Sequence, residues 1–140
     1  MASIVRAFRS FFLMAIVAIP FSPLATLGAA YNHLLSGDKL KTGENLSDIN
    51  YSLRMQQDCN LVLYQINPEK AIWNSQTKDK GIGCELTLQT DGDLVIEDEN
   101  QKLVRGSKTN GTIGNYVLLL QRDRNVVLYS EPIWSSNSKL

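Results

Sequence analysis

Three stretches of this chain can be laid over one another. Residues 53–77 read LRMQQDCNLVLYQINPEKAIWNSQT, residues 86–109 read LTLQTDGDLVIEDENQKLVRGSKT, and residues 118–137 read LLLQRDRNVVLYSEPIWSSN. Their shared glutamines, Gln56, Gln89 and Gln121, stand 33 and then 32 residues apart. A unit of that length is one supersecondary motif that cannot bury its apolar face alone. Three such units are expected to close on one another with pseudo-threefold symmetry.

Each unit reads as β. Residues 51–55 (YSLRM) alternate apolar and polar, as a half-buried strand does. Gln57, Asp58, Cys59 and Asn60 form a turn cluster, and residues 61–64 (LVLY) are rich in strand formers. Asn67, Pro68, Glu69 and Lys70 mark a second turn, after which Ala71, Ile72 and Trp73 begin a third strand. In the second unit the first turn holds Asp91-Gly92, a strong hairpin signal. No segment after residue 30 sustains a helical apolar period, so the fold class is all-β, built of short antiparallel hairpins.

The first thirty residues read differently. Arg6 and Arg9 precede a wholly apolar run at residues 11–19 (FFLMAIVAI), Pro20 stops it, and Gly28-Ala29-Ala30 offers small residues for cleavage. The run is too short for a membrane anchor, because spanning about 30 Å of hydrocarbon takes roughly 20 helical residues. Residues 1–30 are therefore expected to be a secretory signal peptide, leaving a mature domain of residues 31–140 with 12 basic and 14 acidic side chains. Cys59 and Cys84 would pass through an oxidising compartment and pair, the alternative being two free buried thiols. Three sequons, at Asn45, Asn50 and Asn110, are candidate glycosylation sites.

The whole chain carries 14 basic and 14 acidic residues, one histidine and two cysteines. Zero net charge disfavours a nucleic-acid partner, which needs a basic excess. A single histidine excludes multi-histidine metal sites and leaves only His33 for histidine–carboxylate catalysis; two cysteines exclude a four-thiolate zinc site. No enzyme, cofactor, metal or membrane insertion is expected. His33 reads as an ordinary strand or surface residue. The acidic run Glu97-Asp98-Glu99 reads as a solvated turn, since most of the spaced ligands of a calcium loop are missing.

A pattern recurs at the hairpins: Gln-x-Asp-x-Asn-x-Val-x-Tyr. It is Gln56, Asp58, Asn60, Val62 and Tyr64 in the first unit and Gln121, Asp123, Asn125, Val127 and Tyr129 in the third. Strand side chains alternate faces, so Asn60, Val62 and Tyr64 project from one side while Leu61 and Leu63 enter a core. The set offers a carboxylate acceptor, two carboxamides and a phenol around a small apolar spot. That chemistry suits a sugar, whose hydroxyls both donate and accept and whose C–H faces are apolar. The alternative is that these polar residues merely cap the turns. That explains Asp58 and Asn60 singly, and explains less well the return of all five residue types.

These features resemble the monocot (bulb-type) mannose-binding lectins over essentially all of the mature chain. The resemblance rests on LLSG (residues 34–37), MQQDCNLVLY (55–64), the Cys59–Cys84 pair and LQRDRNVVLY (120–129). It implies the β-prism II fold, three four-stranded antiparallel sheets about a pseudo-threefold axis. It implies a homo- or heterodimer formed by exchange of a C-terminal strand around residues 132–135. It also implies that each intact motif holds one terminal α-mannose. Asp58 and Asn60 would take the axial 2-hydroxyl, Gln56 the 3-hydroxyl and Tyr64 the 4-hydroxyl, with Val62 on the ring carbons. Gln121, Asp123, Asn125, Val127 and Tyr129 would repeat those roles, and mannose-rich glycans met in plant defence would be the partners.

The middle unit departs from the pattern. It keeps Gln89, Asp91 and Val95, but Asp93 replaces the asparagine and Glu97 the tyrosine, so a third site is expected to be degenerate. Trp73 and Trp134 match, and Arg105 stands where the family places a tryptophan that packs near the axis. An arginine there must find a carboxylate or turn outward. Only six residues follow Trp134, where many family precursors carry an extension, so extracellular secretion is expected over a vacuolar destination. A taste-active, storage or antifungal member of the same fold with decayed sugar binding is the competing reading.

Overall fold

The computed structural model describes residues 31–130. The expected signal peptide, the strand-exchange segment at 132–135 and Trp134 lie outside them. Eleven strands occur among the described residues, and no helix: β1 (His33–Leu35), β2 (Lys39–Lys41), β3 (Asn45–Ser47), β4 (Tyr51–Met55), β5 (Leu61–Gln65), β6 (Lys70–Asn74), β7 (Glu85–Leu88), β8 (Leu94–Glu97), β9 (Leu103–Gly106), β10 (Val117–Leu120) and β11 (Val126–Tyr129). They form three antiparallel sheets in the orders β3-β4-β5-β6, β2-β7-β8-β9 and β1-β10-β11. Each sequence unit supplies all but the first strand of one sheet, and the third sheet has three strands among the described residues.

Each sheet's first strand comes from one short arm, residues 33–47, which visits all three in turn. β1 pairs β10, β2 pairs β7 and β3 pairs β4. The arm places one leucine per sheet in the core, Leu34, Leu40 and Leu46, all at most 5% exposed. Between them the chain turns at Gly37 and Gly43, at φ +93° and +87°. A side chain at such angles is strained, and glycine is not. The two turns are built alike. Leu35 N–H donates to Asp38 Oδ2 and Lys41 N–H to Glu44 Oε2, each at 2.8 Å.

The core continues this threefold order. Leu53, Leu86 and Leu118 form one layer and Met55, Leu88 and Leu120 the next, each buried and contributed by successive units. Leu61, Leu63 and Ile96 extend it, as the alternation predicts. Two further features were not legible. Register shifts interrupt β5–β6 between Leu63 and Tyr64, and β8–β9 between Ile96 and Glu97. The shifts turn Ile72 and Val104 toward the core they pack against.

The Cys59–Cys84 disulfide joins the first hairpin turn to the segment before β7, and so ties one sheet to the next. Both sulfurs sit in fully buried residues. Arg105 is exposed and lines, with Trp73 and Arg124, a cavity of about 500 Å³ between the sheets. Among the described residues no carboxylate pairs with it, and it stands exposed at the cavity wall.

Two outcomes follow from this packing. Leu40→Ala is expected to cost about 2–5 kcal/mol in urea unfolding, since the leucine is enclosed and its site cannot collapse freely. The double variant Cys59→Ser/Cys84→Ser is expected to lose roughly 3 kcal/mol through the freed unfolded chain while keeping its β circular-dichroism signal.

Candidate carbohydrate-binding site

The three hairpin turns share one backbone design. In each, the glutamine and the Asn or Asp four residues on are bonded N–H to carbonyl: Gln56 to Asn60 at 3.0 Å, Gln89 to Asp93 at 2.8 Å and Gln121 to Asn125 at 2.8 Å. The residue before that Asn or Asp is left-handed in all three, Cys59 at φ +67°, Gly92 at +85° and Arg124 at +75°. At Gly92 the glycine is also a packing requirement, because a Cβ there would lie 2.6 Å from the Tyr116 ring. The motif aspartate braces the turn. Asp58, Asp91 and Asp123 each accept, through Oδ1, the N–H two residues on, at 3.0, 3.0 and 3.1 Å. The turn-capping role weighed from sequence is therefore real, and it uses one carboxylate oxygen and leaves the other.

The two intact motifs agree in their side chains as well. Gln56 Nε2 donates to the Tyr64 hydroxyl at 2.7 Å, and Gln121 Nε2 to the Tyr129 hydroxyl at 2.6 Å. This pairing spends a glutamine donor and leaves the glutamine Oε1 to accept and the phenol proton to donate, side by side. Two neighbouring ring hydroxyls find complementary partners there. At the other end, an aspartate oxygen that accepts and an asparagine amide that donates can bracket one hydroxyl, which does both.

Val62 is more enclosed than the alternation predicts, at 3% exposed. Its cross-strand partner Arg54 lies on the same outer face, with its guanidinium carbon 4.6 Å from the Tyr64 ring centroid and a bond to Glu69. The third motif has Leu119 opposite Val127 instead. Val127 is partly buried and Tyr129 is 42% exposed.

In the middle unit Asp93 occupies the asparagine's place with the same contacts, while Glu97 ends the strand where Tyr64 stands in the first. Desolvation pushes the Asp93 carboxyl up, but hydrogen bonds from the Ser107 hydroxyl and from the Thr109, Lys108 and Leu94 amides outweigh it, and the net pKa is below the usual carboxylate value. Asp93 is thus held ionised beside Asp91. On the same sheet Lys39 pairs with Glu85, the cross-strand neighbour of Glu97. That hydrogen bond, opposed by desolvation and aided by the charges of Glu85 and Glu97, raises the lysine's pKa. The unit presents carboxylates where the other two present an amide and a phenol.

Four residues escaped the sequence reading: Ser75 and Thr77 after β6, and Ser107 and Thr109 after β9. Ser75 and Thr77 are buried and bond to Asn60, and Ser107 and Thr109 bond to Asp93. The signal was present in the repeat, as Ser-Gln-Thr and Ser-Lys-Thr at matching positions. Asn45, Asn50 and Asn110 are exposed. Among the described residues no group of His, Cys, Asp and Glu could hold a metal, and no helix is long and apolar enough to cross a membrane.

No family model matches the chain. Curated relatives do. A mannose-specific lectin of Aloe arborescens is 40% identical over 109 residues, 76% of this chain and 97% of the relative. The mannose-specific lectin TAR1 of Colocasia esculenta is 35% identical over 91% of this chain, which spans only 53% of that longer protein. Among solved structures, the mannose-specific agglutinin from bulbs of snowdrop, Galanthus nivalis, complexed with methyl-α-D-mannoside, superposes with a TM-score of 0.70 at 43% identity, over 78% of this chain and 98% of that one. These relatives are lectins, carbohydrate-binding proteins rather than enzymes, and their fold is the β-prism II that the family resemblance implies. With its three-sided prism, its recurring hairpin turns and these relatives, the chain belongs to the monocot mannose-specific lectin family.

Proposed function

We propose that the mature chain is a secreted lectin that binds terminal α-D-mannose at two hairpins, Gln56–Tyr64 and Gln121–Tyr129, and not at the middle one. The observation that carries this reading is the repeated Gln–Tyr bond above an identically braced Asp turn, at 2.7 and 2.6 Å. The aspartate's free oxygen and the asparagine's amide bracket an axial 2-hydroxyl, whereas glucose carries that hydroxyl equatorially. Gln56 and Tyr64 meet the 3- and 4-hydroxyls, and Val62 and Val127 form the apolar floor.

The middle hairpin fails on proton count. One hydroxyl has one proton to give, so it can satisfy Asp91 or Asp93 and not both. The second carboxylate then faces a lone pair, and Glu97 brings a third acceptor in place of a phenol donor. Single shallow sites of this kind bind roughly millimolar, about 4 kcal/mol each. Useful avidity comes from linking sites, within a chain and across a dimer formed by exchange of the segment at residues 132–135. Mannose-rich surfaces of plant attackers are the proposed targets, and the exposed sequons at Asn45, Asn50 and Asn110 are proposed to be glycosylated on the secretory route.

Calorimetric titration of the mature protein with α-methyl mannoside is expected to count about two sites per chain, with weaker binding of glucose and none of galactose. Asn60→Asp should remove one of the two. A crystal soaked in mannose should show the first and third hairpins occupied; full occupancy at Asp91 and Asp93 would overturn the assignment of the middle one.

A further inference from the structure

We propose that Ser75 and the backbone N–H of Thr77 act as a positioning clamp that sets the hydrogen-bond polarity of the first sugar site. Ser107 and Thr109 apply the same clamp to the middle hairpin. The inference rests on the mannose-site reading above and adds to it the residues that decide which atom of Asn60 a ligand meets.

The argument begins with a donor that cannot change role. Thr77 N–H points at the Asn60 side chain, 3.2 Å from Oδ1. A backbone amide only donates, so the carboxamide atom facing it must be the oxygen; the flipped orientation would set N–H against N–H. Ser75 Oγ approaches the same oxygen at 3.2 Å. The hydroxyl is itself fixed, because it accepts Leu61 N–H at 2.9 Å and shares its one proton between the Asn60 oxygen and Thr77 Oγ1, which lies 2.6 Å away. Thr77 Oγ1 in turn donates to the Cys59 carbonyl at 2.6 Å, inside the motif turn. Ser75 and Thr77 are 3% and 1% exposed, so water does not compete for these bonds. With both contacts on Oδ1, the Asn60 amide nitrogen is turned away from the clamp and toward the open face.

The middle hairpin repeats the arrangement bond for bond. Asp93 Oδ1 accepts Ser107 Oγ at 2.7 Å and Thr109 N–H at 3.2 Å. Ser107 Oγ also accepts Leu94 N–H at 2.9 Å, and Thr109 Oγ1 donates to the Gly92 carbonyl at 2.8 Å. The clamp binds an oxygen and is indifferent to what lies on the other arm of the side chain. Asparagine there shows the ligand a donor, and aspartate shows it an acceptor. The polarity of each site is therefore written by one residue and enforced by a turn that neither faces the ligand nor varies with it.

The test uses the mature protein and two readouts. In Ser75→Ala the first site should weaken about tenfold toward α-methyl mannoside, the worth of one misdirected hydrogen bond. The third-repeat site in the same molecule should stay within about twofold, which separates positioning from unfolding. The Asn60 side-chain amide pair, followed by proton–nitrogen NMR, should move toward the shifts of an unconstrained asparagine as the carboxamide loses its fixed orientation. Should Ser75→Ala not fold, the middle hairpin carries the same test on an exposed serine. The carboxamide introduced by Asp93→Asn should be immobile, and adding Ser107→Ala should release it. Unchanged first-site affinity in folded Ser75→Ala, or amide signals indifferent to either serine, would overturn the clamp. A protein that binds no mannoside at all would refute the proposed function, while the NMR readout would still decide the clamp.

Discussion

The interaction on which this structure depends is burial of three apolar sheet faces against one another. No sheet of three or four short strands covers its own inner side, and the burial of Leu53, Leu86, Leu118 and the layer beneath them is possible only when all three faces meet. The arm at residues 33–47 makes that meeting obligatory. By pairing with β10, β7 and β4 in succession, it spends its backbone hydrogen bonds on three different sheets. Separating any one sheet then exposes a leucine of the arm and breaks a strand ladder together.

The outward faces are free for chemistry because the inward faces carry the stability. Strand alternation sends Leu61 and Leu63 to the axis and leaves Val62 and Tyr64 on the outer face of the same strand. The binding groups sit at the hairpin turn and along the outer strand face, on backbone held by the left-handed residue and the motif aspartate. Rigidity at the site is thus inherited from the turn and needs no ligand to organise it. The same economy explains the middle hairpin: its fold-bearing bonds are kept with Asp in place of Asn, so the polarity of its outer face differs from the other two without a change of shape.

Much of this was readable in the chain. The repeat, the strands at residues 51–55 and 61–64, the inward leucines and the recurring five-residue pattern all depend on local alternation, which a sequence displays directly. The arm was not readable as strands. His33–Leu35, Lys39–Lys41 and Asn45–Ser47 are three residues each, too short to show a period, and every partner they pair with is distant in the chain. The shifts beside Tyr64 and Glu97 were hidden for a related reason: a bulge is a property of two strands together. Ser75 and Thr77 looked like loop residues, since their bonds to Asn60 and the Cys59 carbonyl cross 15 to 18 positions.

What the sequence by itself determined was the list of parts: three β units, a core made from every second residue, and two complete Gln-Asp-Asn-Val-Tyr sets with one altered set between them. These follow from composition and spacing, which do not change on folding. Only the tertiary structure decided how the parts face one another. It placed Arg105 at the surface of a cavity, enclosed Val62 beside Arg54, and turned the Asn60 oxygen inward against the Thr77 amide. Each of those outcomes is fixed by a group that is distant along the chain and adjacent in space, and directional bonds between such groups exist only once the backbone has brought them together.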